Sequence, residues 1–295
     1  MVMGIGQARE FVTAHGRQLD RWRFDALTGD GAARRGVLAA LEAYRNPDGG
    51  YGWGIEPDLR APESQPAGAL HAFEAMADAG ATTPRSLELF DWLTSVTLPD
   101  GGLPFALPVA DDTACAPFWA RADPTESSLQ ITAAVAAQAY RLARADPAVG
   151  AHPWLAQATE YCFEQIRAID AAPFAYVLSF ALQLVDAAYD TWPEARELLD
   201  RLAQFVPADG AVPVAGGAAG ETLHLLSFAP DPGRPVRELV TAAAVEADLD
   251  RLERTRRRDG GWDVDFDSYS PAAALEWRGY TTVANTALLL RNTRW

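Results

Sequence analysis

The chain has 295 residues, of which 49% are hydrophobic and 22% are charged, and its formal net charge is −15. No Ser/Gly-rich tract or charge block marks a boundary, so we expect a single domain over residues 1–295. The excess of carboxylates would repel phosphate backbones and anionic lipids, which argues against nucleic-acid and membrane-surface partners.

Other features of the composition restrict the expected cellular compartment and the types of reaction. The longest apolar run, residues 174–182, is too short to span a bilayer, and the first residues lack the pattern of a signal peptide. We therefore expect a cytoplasmic protein without stable membrane insertion. Two cysteines and four scattered histidines form no zinc-ligand pattern, and the chain contains no lysine. The sequence thus predicts no metal site and no cofactor, and it excludes a Schiff-base or Walker A lysine.

Apolar residues recur at spacings of three and four along five segments. In chain order these predicted helices are residues 36–45, 68–80, 85–96, 130–143 and 244–255. Three helix N-termini are predicted at Asp123-Pro124-Thr125-Glu126, at Thr191-Trp192-Pro193-Glu194 and at Ser270-Pro271. We expect about eleven helices in total, and no segment alternates long enough to predict a sheet.

Asp-Gly turns recur along the chain. They lie in the segments NPDGGYGW from Asn46, LPDGGLPF from Leu98, VPADGAVPV from Val206 and RRDGGWDVDF from Arg257. Their Asp residues are 52, 109 and 50 residues apart, so one turn is skipped, and we expect it near residues 146–150. A period of this length is typical of repeated helical hairpins. Because one hairpin cannot bury both of its faces, we predict an all-α protein in which five to six hairpins close into an α/α toroid around a central pit.

These turns resemble a known repeat. DGGW at residues 259–262, with the looser DGGYGW and DGGLPF, is similar to the Gln-Trp repeat of squalene-hopene cyclases, related class II terpene cyclases and protein prenyltransferase β subunits. The resemblance covers the hairpin repeat along most of the chain and implies a terpenoid-cyclase or prenyltransferase-like fold. Residues 46–66 and 259–280 also resemble an uncharacterised actinobacterial family often labelled prenyltransferase-like, which implies no established activity.

The last turn carries the candidate acids. Class II cyclases use a D-x-D-D motif whose central Asp protonates an alkene, and Asp263 and Asp265 match its first two Asp positions, whereas Phe266 replaces the final Asp. The resemblance implies that Asp265 is the acid. Asp58 and Glu56, which follow the first turn, are the other candidate catalytic residues. The alternative is that these carboxylates only cap turns.

Aromatic and charged side chains of the same loops are the candidate substrate-binding residues. They are Tyr51, Trp53, Arg60, Phe118, Trp119, Trp262, Tyr269, Glu276, Trp277 and Arg278. Ring closure should bring the first and last loops together, so that Arg60 or Arg278 pairs with a carboxylate of the other loop. We predict that Asp265 and Asp58 face a common pit and that at least one of them transfers a proton.

Three functions fit these residues. The first is acid-initiated, class II-like cyclisation of an isoprenoid or polyene, in which tryptophan faces stabilise cationic intermediates and the partner is a small hydrophobic molecule. The second is a carbohydrate-active enzyme with Asp58 and Asp265 as a glycosidase-type pair. The third is a non-enzymatic repeat protein that binds a basic partner. A deep, dry aromatic pit would favour the first function, and an open polar cleft with exposed tryptophans would favour the second.

Overall fold

The protein is built almost entirely of helices. The computed structural model describes residues 2–295. Within that range the α-helices are α1 (Val2–His15), α2 (Gln18–Leu27), α3 (Ala33–Leu41), α4 (Pro66–Ala79), α5 (Pro84–Val96), α6 (Pro117–Ala120), α7 (Leu129–Ala143), α8 (Pro147–Gly150), α9 (Pro153–Arg167), α10 (Ala175–Ala188), α11 (Ala195–Ala203), α12 (Leu225–Phe228), α13 (Ala242–Thr255) and α14 (Pro271–Arg291). None of these helices combines the length and the apolar composition needed to cross a bilayer.

The predicted all-α class is confirmed. Eleven of the helices have nine residues or more, and the remaining three have four residues each. Two 3-10 helices, Glu42–Tyr44 and Pro235–Leu239, accompany them. In residues 2–295 the strands are limited to one antiparallel pair, β1 (Val212–Pro213) and β2 (Thr222–Leu223). This agrees with the sequence, in which no segment alternates long enough to predict a sheet.

All five helices predicted from apolar periodicity are present, as α3, α4, α5, α7 and α13. The predicted start at Ser270 is also confirmed, because its hydroxyl oxygen accepts a hydrogen bond from the backbone N–H of Ala273. The start at Asp123 was wrong: its carboxylate accepts hydrogen bonds from Thr125 in a separate turn, and Ser128 caps α7 instead. An Asp-Pro pair suits a turn as well as a helix start.

The start predicted at Thr191 was wrong too. Helix α11 begins at Ala195 after Glu194, whose side chain makes no capping hydrogen bond. Backbone N–H groups of Thr191 and Trp192 donate instead to the carbonyl of Ala188 at the end of α10, so this segment completes the preceding helix. A capping pattern in the sequence cannot tell which of two adjacent helices its residues serve.

The four Asp-Gly turns share one geometry, which explains why the pair recurs. In each turn the Asp Oδ1 atom accepts a hydrogen bond, 2.9 to 3.1 Å long, from the backbone N–H two residues later. The glycine after each Asp has a φ of +71° to +94°, where a side chain would be strained. The turns lie between α3 and α4, between α5 and α6, between α11 and α12, and between α13 and α14.

The skipped turn does not lie near residues 146–150. Residues 147–150 form the whole of α8, in the short connection from α7 to α9, and Asp146 caps it. The connection that corresponds to the Asp-Gly turns is residues 168–174, which leads from α9 to α10 and contains no Asp-Gly pair. Its composition therefore gave no signal of its position in the repeat.

Helix packing brings the two ends of the chain together. Helices α2, α4, α7 and α10 contact one another in succession, and α14 contacts both α1 and α2. One apolar cluster includes residues of α4, α5 and α7, a second includes residues of α10 and α11, and Leu129 and Tyr140 of α7 pack against both. Contact between the first and last helices is what a closed ring requires. The toroid of five to six hairpins and the single domain over residues 1–295 stay predictions.

Candidate functional site

Three loops meet beside the N-terminal ends of α4 and α14. The backbone N–H of Ala116 donates to the carbonyl of Asp58 at 2.8 Å, and the backbone N–H of Tyr269 donates to the Asp58 carboxylate at 2.9 Å. Arg60 of the first loop also pairs with Glu276 of α14 at 2.6 Å. The predicted meeting of the first and last loops is therefore confirmed. We call this region the loop junction, and it contains Glu56, Asp58, Arg60, Phe118, Trp119, Tyr269, Glu276 and Trp277.

Asp58 connects the first loop to the last. Asp58 is only 3% exposed. One of its carboxylate oxygens accepts a hydrogen bond from the indole Nε1–H of Trp277 at 2.7 Å, and the other accepts one from the backbone N–H of Tyr269. A buried carboxylate is tolerated only where donors replace the lost water. The structure thus gives Asp58 a positioning role, and its role in proton transfer stays a prediction.

Glu56 belongs to a buried chain of hydrogen bonds around a histidine. His71 Nε2 lies 2.8 Å from Glu56, His71 Nδ1 lies 2.9 Å from Glu74, and the Tyr280 hydroxyl donates to Glu74 at 2.9 Å. Burial lowers the pKa of His71, but the charge of Glu74 and the hydrogen bonds to both carboxylates outweigh it and raise the pKa to about 9. His71 is therefore a cation at neutral pH, and both of its ring nitrogens donate.

Paired charges also connect the helices behind this chain. Arg23 of α2 and Arg141 of α7 both bond to Asp78 of α4, the first at 2.8 Å. Burial raises the pKa of Asp78, but the two guanidinium groups outweigh it, so the pKa is lowered. The contacts among α2, α4 and α7 thus include two buried ion pairs in addition to apolar packing.

A group of aromatic rings lies on the surface of the loop junction. Phe105 and Trp119 stack with their ring centroids 4.4 Å apart, and Phe118 contacts Trp119 at 5.4 Å and Tyr269 at 5.7 Å. Phe118 is 50% exposed and Tyr269 is 53% exposed. Exposed aromatic rings that converge from separate loops are typical of a binding surface. We call these four residues the aromatic shelf.

Asp265 lies in different surroundings from Asp58. Its side chain is 59% exposed, and its Oδ2 atom is 3.7 Å from Nε2 of His224, too far for a hydrogen bond. Burial and the charge of Arg251 lower the pKa of His224, although Asp248 and Asp265 oppose them, so His224 is neutral at pH 7. In residues 2–295 no hydrogen bond or ion pair joins Asp265 to Asp58, and their common pit stays a prediction.

The remaining predicted residues lie apart from the loop junction. Asp263 pairs with Arg257 and Arg278, and Arg278 also bonds to Asp259 at 2.9 Å. Arg278 of α14 therefore pairs with the loop that precedes its own helix and not across the junction. These residues, with Arg258, line an open depression of about 530 Å³.

Of the three remaining aromatic candidates, two are buried and one is exposed. Tyr51 is 1% exposed and Trp262 is 2% exposed, and both are core residues. The indole N–H of Trp262 donates to the carbonyl of Leu252 at 2.8 Å. Trp53 is 58% exposed, and its indole N–H donates to Asn46 at 2.7 Å. Packing is therefore the role that the structure shows for Tyr51 and Trp262.

Sequence reasoning missed His71, Glu74 and His224. A signal for the first pair was present, because His71 and Glu74 are three residues apart and so share one face of a predicted helix. No such signal marked the contact of His71 with Glu56 or that of His224 with Asp265, since those partners lie on different elements.

Neither the metal-ligating residues nor the comparisons with known proteins point to a function. Across residues 2–295, no three His, Cys, Asp or Glu side chains are arranged to hold a metal ion. Compared with known protein families and with curated proteins, the chain matches no family model and no curated sequence.

Proposed function

We propose that the protein is a carbohydrate-active enzyme that binds its substrate on the aromatic shelf. The observation that carries the proposal is the pair of half-exposed rings of Phe118 and Tyr269, next to the charged pair of Arg60 and Glu276. A sugar ring offers an apolar C–H face that packs on aromatic rings and hydroxyl groups that bond to charged side chains. An open surface that combines both features suits a saccharide better than a hydrocarbon.

Two carboxylates supply the acid–base chemistry in this proposal. Asp265, which is accessible and lies beside the neutral His224, is the proton-transfer residue. Glu276, held by Arg60, is the second carboxylate that glycoside hydrolysis requires. Glu276 replaces Asp58 in the pair expected from the sequence, because both oxygens of Asp58 already accept hydrogen bonds within the protein.

Acid-initiated cyclisation of an isoprenoid is the second candidate. The observation that favours it is the group of rings around His71, where Trp277 and Tyr280 lie edge-on at centroid distances of 6.1 and 5.3 Å. Protonation of an alkene needs an undissociated acid in dry surroundings. Asp265 is largely exposed, and Glu56 is bonded to His71, so neither carboxyl group lies free in dry surroundings. We therefore rank the carbohydrate proposal first.

A binding screen combined with matched variants tests the proposal. Saturation-transfer NMR against a panel of oligosaccharides should detect binding that Phe118→Ala and Tyr269→Ala each weaken. Release of reducing sugar from the ligands that bind should fall by about 10²-fold or more in Asp265→Asn. Asp267→Asn is the control, because Asp267 lies in the same exposed loop and is expected to keep full activity.

Three outcomes would count against the proposal. If no oligosaccharide binds but incubation with polyprenyl substrates gives cyclic products, the second candidate replaces it. If Asp265→Asn and Asp267→Asn are equally active, Asp265 is not the proton-transfer residue. If sugars bind but are never cleaved, the protein is a carbohydrate-binding module and not an enzyme.

A further inference from the structure

A second group of aromatic rings lies at the N-terminal end of α10. Phe174 precedes the helix and is 43% exposed, and its ring centroid lies 5.7 Å from that of Tyr176. The ring of Tyr176 in turn stacks on that of Phe180, with 6.4 Å between the centroids. In residues 2–295 no aromatic contact joins these rings to the aromatic shelf. We call Phe174, Tyr176 and Phe180 the α10 strip.

The middle ring of the strip is fixed by a buried carboxylate. The hydroxyl of Tyr176 donates to Glu221 Oε1 at 2.7 Å, and the backbone N–H of Ala218 donates to Glu221 Oε2 at 2.8 Å. Burial, this hydrogen bond and the charges of Glu221 and Asp265 raise the pKa of Tyr176, so its hydroxyl stays protonated and donates at neutral pH. The ring of Tyr176 is therefore held in place, and Phe174 is the exposed end of the strip.

Asp265 lies near both aromatic groups. Its charge acts on Tyr176, and its Oδ2 atom is 3.7 Å from Nε2 of His224, which follows β2. Helix α10 contacts both β2 and α12, so the strip and His224 belong to neighbouring elements. Asp265 also precedes Tyr269 of the aromatic shelf by four residues, which limits the distance between them to at most about 14 Å. One extended ligand can therefore contact the strip, Asp265 and the shelf.

His224 brings a polar group without a hydrogen bond to this place. Within residues 2–295 its ring nitrogens lie 4.0 Å from Asp248 and 3.7 Å from Asp265, and both distances are too long for a hydrogen bond. The side chain is 25% exposed, so a ligand can reach it. A neutral imidazole offers one donor and one acceptor, and a sugar hydroxyl group can both accept and donate.

We infer that the α10 strip is a second saccharide-binding subsite, and that the substrate is a chain of sugars that passes Asp265 and is cleaved at an internal bond. The inference rests on the proposed function. One sugar packs on Phe174 and bonds to His224, while the aromatic shelf binds another part of the chain. Hydrolysis breaks the bond between the anomeric carbon and the glycosidic oxygen. That oxygen receives a proton, and water supplies the hydroxyl group of the anomeric carbon.

Calorimetry with two-unit and six-unit sugars tests the inference, with cello-, xylo- and malto-oligosaccharides as the three series. Asp265→Asn is the background for these titrations, because it prevents cleavage. In the series that binds, the six-unit sugar should bind about tenfold more tightly than the two-unit sugar. Adding Phe174→Ala should weaken the six-unit sugar about tenfold, because an apolar ring surface is lost, and should leave the two-unit sugar on the shelf. Leu87→Ala is the control, since Leu87 is an exposed apolar residue of α5.

Product analysis gives a second readout on the wild type. Early in the reaction, chromatography of the digested six-unit sugar should show products of two to four units. Release of single sugars alone, or equal six-unit affinity in the Phe174→Ala and Leu87→Ala variants, would overturn the inference and leave the proposed function in place. If no member of any series binds, or if Phe118→Ala leaves the binding of both lengths unchanged, the proposed function fails and the inference fails with it.

Discussion

Replacing His71 by glutamine should remove the part of the free energy of unfolding that depends on the protonation of His71. His71 lies between Glu56 and Glu74, with its side chain 7% exposed, and donates to both carboxylates. Glutamine can still donate a hydrogen bond but carries no charge. The variant therefore leaves two buried carboxylates without the cation between them, which is strongly destabilising in buried ion networks.

The size of the effect follows from the pKa. In the folded protein the pKa of His71 is raised from 6.5 to about 9, which corresponds to about 3 kcal/mol of stabilisation by the protonated form. Because the folded pKa is the higher one, this stabilisation is fully present below about pH 6.5 and is lost as the pH rises to about 9. The free-energy difference between the wild type and His71→Gln should shrink by about 3 kcal/mol over that interval.

Urea denaturation followed by circular dichroism measures this difference at pH values from about 6 to about 9.5. His15→Gln is the control, since His15 is an exposed residue at the end of α1, and its effect should stay small at every pH. A difference between wild type and His71→Gln that stays constant over the whole range would refute the reasoning. It would mean that His71 is neutral in the folded state and that only packing is lost in the variant.

Four shorter predictions follow from single contacts. Asp58→Asn should lower the free energy of unfolding by about 2 kcal/mol in urea, because one charge-assisted hydrogen bond across the loop junction is lost, and an unchanged midpoint would contradict this. Gly68→Ala should destabilise the protein by more than about 2 kcal/mol, because the new Cβ atom would lie 2.0 Å from a backbone carbonyl oxygen. In Gly6→Ala, the matched control in α1, the Cβ atom meets nothing within 4 Å, so this variant should be neutral or stabilising in thermal unfolding. Burial raises the pKa of both Cys115 and Cys162, so Ellman's reagent should label them only as the protein unfolds, and rapid labelling of the native state would show that a thiol is accessible. Treatment with a chelator should leave the helical circular dichroism signal unchanged, and a loss that zinc restores would reveal a structural metal.

Some features of the loop junction could be predicted from the sequence. The positions of Phe118, Trp119 and Tyr269 in long loops predicted that they line a common pit. The structure places these residues together, with Phe118 and Tyr269 half-exposed at the surface. The sequence predicted that Arg60 or Arg278 would pair with a carboxylate of the other loop. Arg60 pairs instead with Glu276 of α14, the helix that follows the last loop. The sequence could not tell which aromatic residues near the turns are core residues, as Tyr51 and Trp262 are.

What the sequence alone determined were features that depend on near neighbours along the chain. Apolar spacing predicted five helices because the period of a helix is a local property, and the Asp-Gly pair marked four turns because only glycine adopts their positive φ without strain. The partners of Asp58 were decided only by the tertiary structure, since Tyr269 and Trp277 lie 211 and 219 residues away. The same holds for one of the two carboxylate partners of His71, because Glu56 lies in a loop outside its helix, whereas Glu74 lies three residues away in the same helix. Protonation and hydrogen bonding respond to distances of a few ångströms in space, and helix packing sets those distances.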